Sequence, residues 1–323
     1  MKNSEKLVLI FNDARECDQI WIKDAVTELG VRCLWIDEKD PYQGNIKIEI
    51  DGQASRIQLG SGICTIVPNS IVGVWHRWQL PSSYPEPGSR EAFIRSEWKY
   101  FWKFFAQSIT RHRWMNGKHS VEKATDRLHQ LEVARSVGMS IPRTLVAIEP
   151  TEIFSFIEDV GGFGVVKVLG SGRPQESPGR KLMTASLTAS DLKAHGRYEA
   201  PALVQERLNF ELEIRCTVVD SEVYCASIKP IADHVDIKHS ILAGTRFKRA
   251  SMPQRVKNQL IEITNSLGLR YAAIDLGITK REDLIFIEVN PSGMYQNIEV
   301  DTSMPITEAI ARALTQGDRN DSY

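Results

Sequence analysis

The sequence predicts an α/β (α+β) protein, with an N-terminal parallel α/β domain followed by two α+β domains. Three observations lead there. Residues 7–37 alternate a strand-type apolar run, a helical pattern and a second strand-type run, the rhythm of a parallel unit. Near the other end, the apolar runs 271–276 and 284–290 flank the polar turn 279–283, the pattern of a hairpin. The 323 residues also exceed the about 150 of a typical domain, so two or three domains are expected. Composition breaks place them at 1–115, 116–201 and 202–323.

Leu7–Asn12 reads as the first strand, and Asp18–Leu29 as a helix with Ile22, Val26 and Leu29 on one side and Gly30 closing it. Val31–Asp37 returns to strand. Ile46, Ile48 and Ile50 alternate up to Asp51-Gly52, and a second alternation ends at Ile57 and Leu59, which predicts a hairpin. Ile71–Trp75 is another strand. Residues 91–113 read as one helix with the stripe Ile94, Trp98, Phe101, Trp102, Phe105 and Ile109, packed on the core with a solvated basic face. After Asn116-Gly117, Lys123–Gly138 reads as one helix with Ala124, Leu128, Leu131 and Ala134 inward and Gly138 as terminator. A strand at Thr144–Ile148, a helix at Thr151–Glu158 and a strand at Val165–Leu169 follow. Gly170–Gly179 is a polar loop. Strands resume near Ala202, and Pro253 heads a helix carrying Val256, Leu260, Ile263 and Leu267, ended by Gly268.

Hydrophobic residues make up 42% and charged residues 25% of the chain, which excludes a mainly disordered protein. Lys+Arg total 40 against 41 Asp+Glu, so there is no charge footprint for a nucleic acid, and an anionic ligand must be met by locally placed cations. Five Cys without CxxC spacing fit a reducing compartment. The run Leu7–Phe11 is too short for a secretory segment and no stretch approaches a membrane span, so a cytoplasmic protein with no membrane partner is expected. Cys216 and Cys225 are equidistant from Asp220-Ser221, which would set them opposite one another in a hairpin as free thiols.

The chemistry concentrates in three places. In the 271–290 hairpin, Glu288 and Asn290 share a face by period two, and Asp275 can reach that face from the neighbouring strand. Two carboxylates and an amide oxygen suit Mg²⁺, which takes few protein ligands and shares the rest with phosphates. A strand acid facing solvent or a basic residue is the alternative. Lys167 sits in the β-branched run 165–168 before the Gly/Ser loop, where an ammonium needs a phosphate or a carboxylate as partner. Glu211, Glu213 and Arg215 share one strand face; Arg215 is either their surface ion pair or a guanidinium fork for a phosphoryl group. Walker A and GxGxxG spacings are absent, and so is a convincing Ser/His/Asp or Cys/His arrangement.

These elements in this order resemble the ATP-grasp superfamily, and more narrowly the ATP-grasp maturases of microviridin-type (graspetide) peptides. Val74-Trp75-His76-Arg77, Gln130-Leu131 with Ala134, Gly138, Ile141-Pro142 and Thr144, Ile274-Asp275-Leu276, and above all Glu288-Val289-Asn290-Pro291-Ser292-Gly293 carry the resemblance. It implies an ATP-grasp fold whose central and C-terminal domains clasp ATP. It implies that Lys167 contacts the phosphates and that Gln205, Glu206 and the backbone near Leu208 hold adenine and ribose. Glu213 would lie near the ribose, Arg215 at the γ-phosphate, and Asp275, Glu288 and Asn290 on Mg²⁺. Where many relatives carry Asp-Lys, this chain has Asp126-Arg127, so either Arg127 or Lys123 takes that phosphate role. Arg77, Asp236 and Lys238 are the substrate-side candidates, and a hairpin around Ser171–Thr184 is the region implied for a leader peptide. The implied activity phosphorylates Asp or Glu side chains of a ribosomal precursor peptide and closes macrocyclic esters or amides onto Ser/Thr or Lys. A ligase adding a small amino acid to a carboxylate and a non-catalytic nucleotide-binding scaffold are the competing readings. Monomer or homodimer is left open.

Overall fold

The computed structural model describes residues 6–12, 18–37, 47–50, 55–58, 65–66, 70–77, 86–169, 185–188, 199–230 and 244–316. The chain divides into two compact units, one made of residues 1–118 with 305–323 and the other of 119–304.

In the first unit β1 (Leu7–Asn12), β2 (Arg32–Asp37) and β6 (Ile71–His76) form a parallel sheet in the order β2-β1-β6. The predicted α/β rhythm is the observed one. Every side chain from Leu7 to Phe11 is buried, as expected for a parallel strand covered on both faces. Leu7, Leu9 and Phe11 pack with Phe105 of α2 (Arg90–Ser108) and with Ile109 and Trp114. Against the sheet lie α1 (Asp18–Glu28) and the last helix, Ile306–Thr315, which returns to this unit and packs on α1 and β6. Gly73 permits that approach, because a Cβ there would stand 2.2 Å from the Leu314 carbonyl oxygen. The hairpin expected around 51–52 is present as β3 (Lys47–Ile50) and β4 (Ser55–Gln58); with β5 (Thr65–Ile66) it makes a separate antiparallel sheet, while the turn itself lies outside the described residues.

The helix expected over 91–113 is shorter. Ser89 caps α2 by accepting from the Ala92 N–H, and the helix stops at Ser108, where Ile109 turns extended. The extended chain brings Trp114 alongside Val74 and lets the Met115 N–H donate to the Val74 carbonyl at 2.9 Å, a pairing with β6 that a continued helix would forfeit.

The second unit opens with α3 (Lys118–Ala124) and α4 (Arg127–Ser136), where the sequence reads one helix. Asp126 divides them: its carboxylate accepts from the N–H groups of Leu128 and His129, a strong N-cap. Leu128, expected inward, is exposed as a result. Gly138, with φ +79, ends α4 as expected.

Two antiparallel sheets follow. One has the order β7-β10-β8-β9, from β7 (Thr144–Ala147), β8 (Phe163–Lys167), β9 (Ala185–Thr188) and β10 (Ala202–Glu206). Thus β10, read as opening a third domain, is an inner strand of this sheet. Its Val204 packs with Ile153 and Ile157 of α5 (Pro150–Asp159). The other sheet has the order β13-β12-β11-β14-β15, from β11 (Phe210–Val219), β12 (Glu222–Ile228), β13 (Lys248–Arg249), β14 (Tyr271–Thr279) and β15 (Leu284–Asn290). The apolar face of α6 (Gln254–Ser266), with Leu260 and Ile263 fully buried, packs against β11, β12 and β14. Two short helices close the chain, α7 (Gln296–Thr302) and α8 (Ile306–Thr315).

Candidate active site

Strand register assembles a row of charges across three neighbouring strands. Arg215 on β11 stands opposite Asp275 on β14, and Asp275 stands opposite Glu288 on β15. Arg215 donates to both oxygens of Asp275, Nε at 2.7 Å and Nη2 at 2.6 Å, in a bidentate fork whose side chains are only 10% and 9% exposed. The surface pair with Glu211 or Glu213 is therefore not what forms; the buried partner is Asp275. Burial opposes the charge on Arg215, but the charge and hydrogen bonds of Asp275, with Glu288 and Tyr271, outweigh it and hold the guanidinium above its ordinary range.

Glu288 reaches this face because β15 carries a bulge. Asp275 pairs with Glu288 but Leu276 pairs with Phe286, so Ile287 is an extra residue. Strict alternation would send Phe286 and Glu288 the same way. The bulge instead buries Phe286 in the core and turns Glu288 to the cavity.

Arg127, the first residue of α4, donates from Nη1 to Glu288 Oε2 at 2.5 Å. Gln130, one turn later on the same side of the helix, fixes this placement. Its buried amide donates to the carbonyls of Ala124 (2.6 Å) and Val289 (2.8 Å) and accepts from the Val289 N–H (2.9 Å). The side chain thus bonds β15 as a neighbouring strand would. Sequence reading quoted Gln130 for the resemblance but missed this role, which depends on a contact 159 positions away. Replacing Gln130 with alanine strands both polar groups of Val289, at a cost of about 2 kcal/mol or more; urea unfolding of the variant measures it.

Between the two sheets of this unit is a cavity of about 80 Å³, lined by Lys167, Gln205, Glu206, Leu208, Glu213, Asp275 and Glu288, with Pro142, Val165, Phe210, Leu276, Ile285 and Ile287 as its apolar walls. Lys167, Val165 and Gln205 face it together through the β8–β10 register. Gln205 donates to the Thr144 hydroxyl at 3.0 Å, and Glu206 accepts from the Arg143 N–H at 2.9 Å, so both polar side chains are held in place. Gly277 makes room for the Phe210 wall, since a Cβ there would lie 2.3 Å from the Phe210 ring. At the far end of β14, Gly293 lies against Ala273, and its carbonyl accepts from the buried Tyr271 hydroxyl at 2.6 Å. This contact pins the Asn-Pro-Ser-Gly turn onto the same strand face.

Seven of the residues proposed from the sequence therefore line one cavity. Arg215 and Arg127 reach it through Asp275 and Glu288. Asn290 is exposed at the strand end, where its Oδ1 accepts from the Ser292 N–H at 3.0 Å, and it does not line the cavity. Lys123 is exposed in the last turn of α3. Arg77 is buried at the end of β6 in the first unit. Asp236, Lys238, the loop 170–179 and the region 171–184 lie outside the described residues. Cys216 and Cys225 stand directly opposite one another as buried free thiols, and burial pushes the Cys216 thiol well above its usual range.

Among the described residues, no group of three or more His, Cys, Asp or Glu could hold a metal ion. Asp275 and Glu288 line the cavity side by side as oxygen donors, without Asn290, and each carboxylate oxygen keeps a lone pair beyond its guanidinium bond. That suits a hard cation needing only two or three protein ligands.

Among the described residues no helix is long and apolar enough to cross a membrane. The chain is 29% identical over 195 residues to a ribosomal protein bS6–L-glutamate ligase of Salmonella paratyphi B, covering 59% of this chain and 64% of that relative's length. In fold it is similar to the macrocyclase MdnC of Microcystis aeruginosa MRC bound with precursor peptide MdnA, with TM-score 0.78, 24% identity and coverage of 96% of this chain and 99% of the other. It is also similar to a RiPP-associated ATP-grasp ligase of Chryseobacterium gregarium in complex with ADP and a leader and core peptide, with TM-score 0.83, 18% identity and 98% of each chain covered. The RimK-like ATP-grasp domain model matches residues 124–314, more than half of the sequence and all of the cavity described above. With the expected fold present and its charged row in place, the chain belongs to the RimK-like ATP-grasp family.

Proposed function

We propose that this chain is an ATP-dependent carboxylate ligase that activates Asp or Glu side chains of a ribosomal precursor peptide and closes macrocyclic esters onto Ser/Thr or amides onto Lys. The observation that carries the reading is the cavity where Lys167, Gln205, Glu206, Glu213, Asp275 and Glu288 converge between two sheets. Its apolar walls and the fixed polar groups Gln205 and Glu206 offer contacts to a purine and ribose, and its charged row offers contacts to phosphates. The two lobes that clasp ATP are the sheets containing β10 and β11. Structural likeness to a macrocyclase bound with its precursor peptide and to a RiPP-associated ATP-grasp ligase in complex with a leader and core peptide supports a peptide substrate.

Lys167 and Arg215 draw negative charge off the phosphoryl group as it moves to the substrate carboxylate, producing an acyl phosphate and ADP. Asp275 and Glu288, with Asn290, would hold Mg²⁺, which supplies further neutralisation of the phosphates when bound. Asp275 also keeps the Arg215 fork in one orientation. A hydroxyl or amine of the same peptide then attacks the acyl carbon, phosphate leaves, and an ester or amide remains. The apolar walls exclude water that would hydrolyse the acyl phosphate.

Addition of glutamate to a protein carboxylate is the second reading, supported by the identity to the bS6–L-glutamate ligase. Mass spectrometry separates the two. A Thr/Ser/Asp/Glu/Lys-rich peptide encoded beside the gene, incubated with enzyme, ATP and Mg²⁺, should lose water. Mass gain only when glutamate is supplied would replace the macrocyclase reading with the second one, and no change in any mass would defeat both.

Lys167→Ala should weaken nucleotide binding by about tenfold or more, because a charge-assisted contact to phosphate disappears. Calorimetry with a non-hydrolysable ATP analogue reads it, and unchanged affinity would return Lys167 to a structural role.

A further inference from the structure

Both carboxylates proposed as metal ligands already carry a guanidinium, but the two pairs differ. The Arg215–Asp275 pair is buried and bidentate, with side chains 10% and 9% exposed. The Arg127–Glu288 pair is half-open, at 29% and 29%, with one contact at 2.5 Å. Such a partly solvated pair is weak enough to exchange partners, whereas the buried one is fixed. Gln130 clamps α4 onto β15 and so delivers Arg127 to Glu288.

Charge decides what can displace it. In and beside the cavity the cations Lys167, Arg127 and Arg215 offset three of the four carboxylate charges of Glu206, Glu213, Asp275 and Glu288. A divalent ion arriving alone meets little net negative charge and must compete with Arg127 for Glu288. A nucleotide phosphate changes both terms, since it brings negative charge and offers the planar guanidinium an equivalent pair of oxygens.

Resting on the ATP-binding reading above, we propose that Arg127 is a positioning residue that masks Glu288 and makes metal binding conditional on a nucleotide phosphate. On nucleotide entry the guanidinium passes from carboxylate to phosphate, and the freed carboxylate takes the metal. Phosphate and metal are thereby coupled through one side chain, and the coupling is reciprocal.

The test measures Mn²⁺ binding to the full chain by electron paramagnetic resonance, with and without ADP, in wild type, Arg127→Ala, Arg127→Lys, Glu288→Gln and the Arg127→Ala/Glu288→Gln double variant. Arg127→Ala should bind Mn²⁺ without nucleotide about tenfold more tightly than wild type. Its gain in Mn²⁺ affinity from ADP should shrink. Arg127→Lys, which keeps the charge and loses the fork, should fall between them. The double variant should lose the gain, which places it at Glu288. Equal nucleotide-free affinity in wild type and Arg127→Ala overturns the masking role, while the nucleotide site stands if Glu288→Gln still loses ADP-dependent Mn²⁺ binding. Wild-type ADP-dependent binding in Glu288→Gln overturns the site assignment itself. Melting curves confirm that each variant is folded.

Discussion

Replacing Arg215 with alanine is expected to lower turnover by on the order of 10²-fold or more and to destabilise the protein at the same time. The two effects share one origin. Arg215 holds both oxygens of Asp275, at 2.7 and 2.6 Å, in a setting where each side chain is nearly buried. Removing it breaks a buried ion pair from one side, which typically costs about 3–5 kcal/mol. It also removes preorganised positive charge beside the position assigned to the transferring phosphoryl group. Arg215→Lys separates these effects. Lysine keeps a positive charge near Asp275 but cannot form the fork, so stability should recover in part while turnover stays low. Steady-state kinetics with melting curves for both variants provide the check. Near-normal turnover in a destabilised Arg215→Ala would make the pair a structural element and remove Arg215 from the chemistry.

Glu288→Gln should reduce turnover by about 10²-fold or more with little change in melting temperature. The amide matches the carboxylate in shape and can still accept from Arg127, and the position is 29% exposed, so the folded state loses little. What disappears is the negative charge that the metal requires. Kinetics across a Mg²⁺ titration measure this, and excess Mg²⁺ should recover part of the lost rate. Wild-type kinetics in Glu288→Gln would move the metal site elsewhere. A large drop in melting temperature would instead assign Glu288 chiefly to anchoring Arg127 and α4.

Periodicity and punctuation in the sequence determined much of the architecture, because these signals are local. The strand–helix–strand start, the 271–290 hairpin, and the helix ends at Gly138 and Gly268 are where pattern and glycine placed them. Lys167, Asp275 and Glu288 could be named because charged residues inside apolar strands need a partner, and the resemblance added Gln205, Glu206 and Glu213. Pairing and register were decided only in three dimensions. Asp126 reads as one position within a long helix until its carboxylate is seen capping α4. Alternation cannot show that β10 belongs inside the first antiparallel sheet, since a strand's own sequence does not name its neighbours. Nor does it reveal that Ile287 is a bulge, without which Glu288 and the buried Phe286 would face the same way. Of the two readings of Arg215, a fork for a phosphoryl group or a surface pair with Glu211 or Glu213, the pair gives way to Asp275 across the sheet, because directly opposed residues on neighbouring strands lie closer than successive residues on one face.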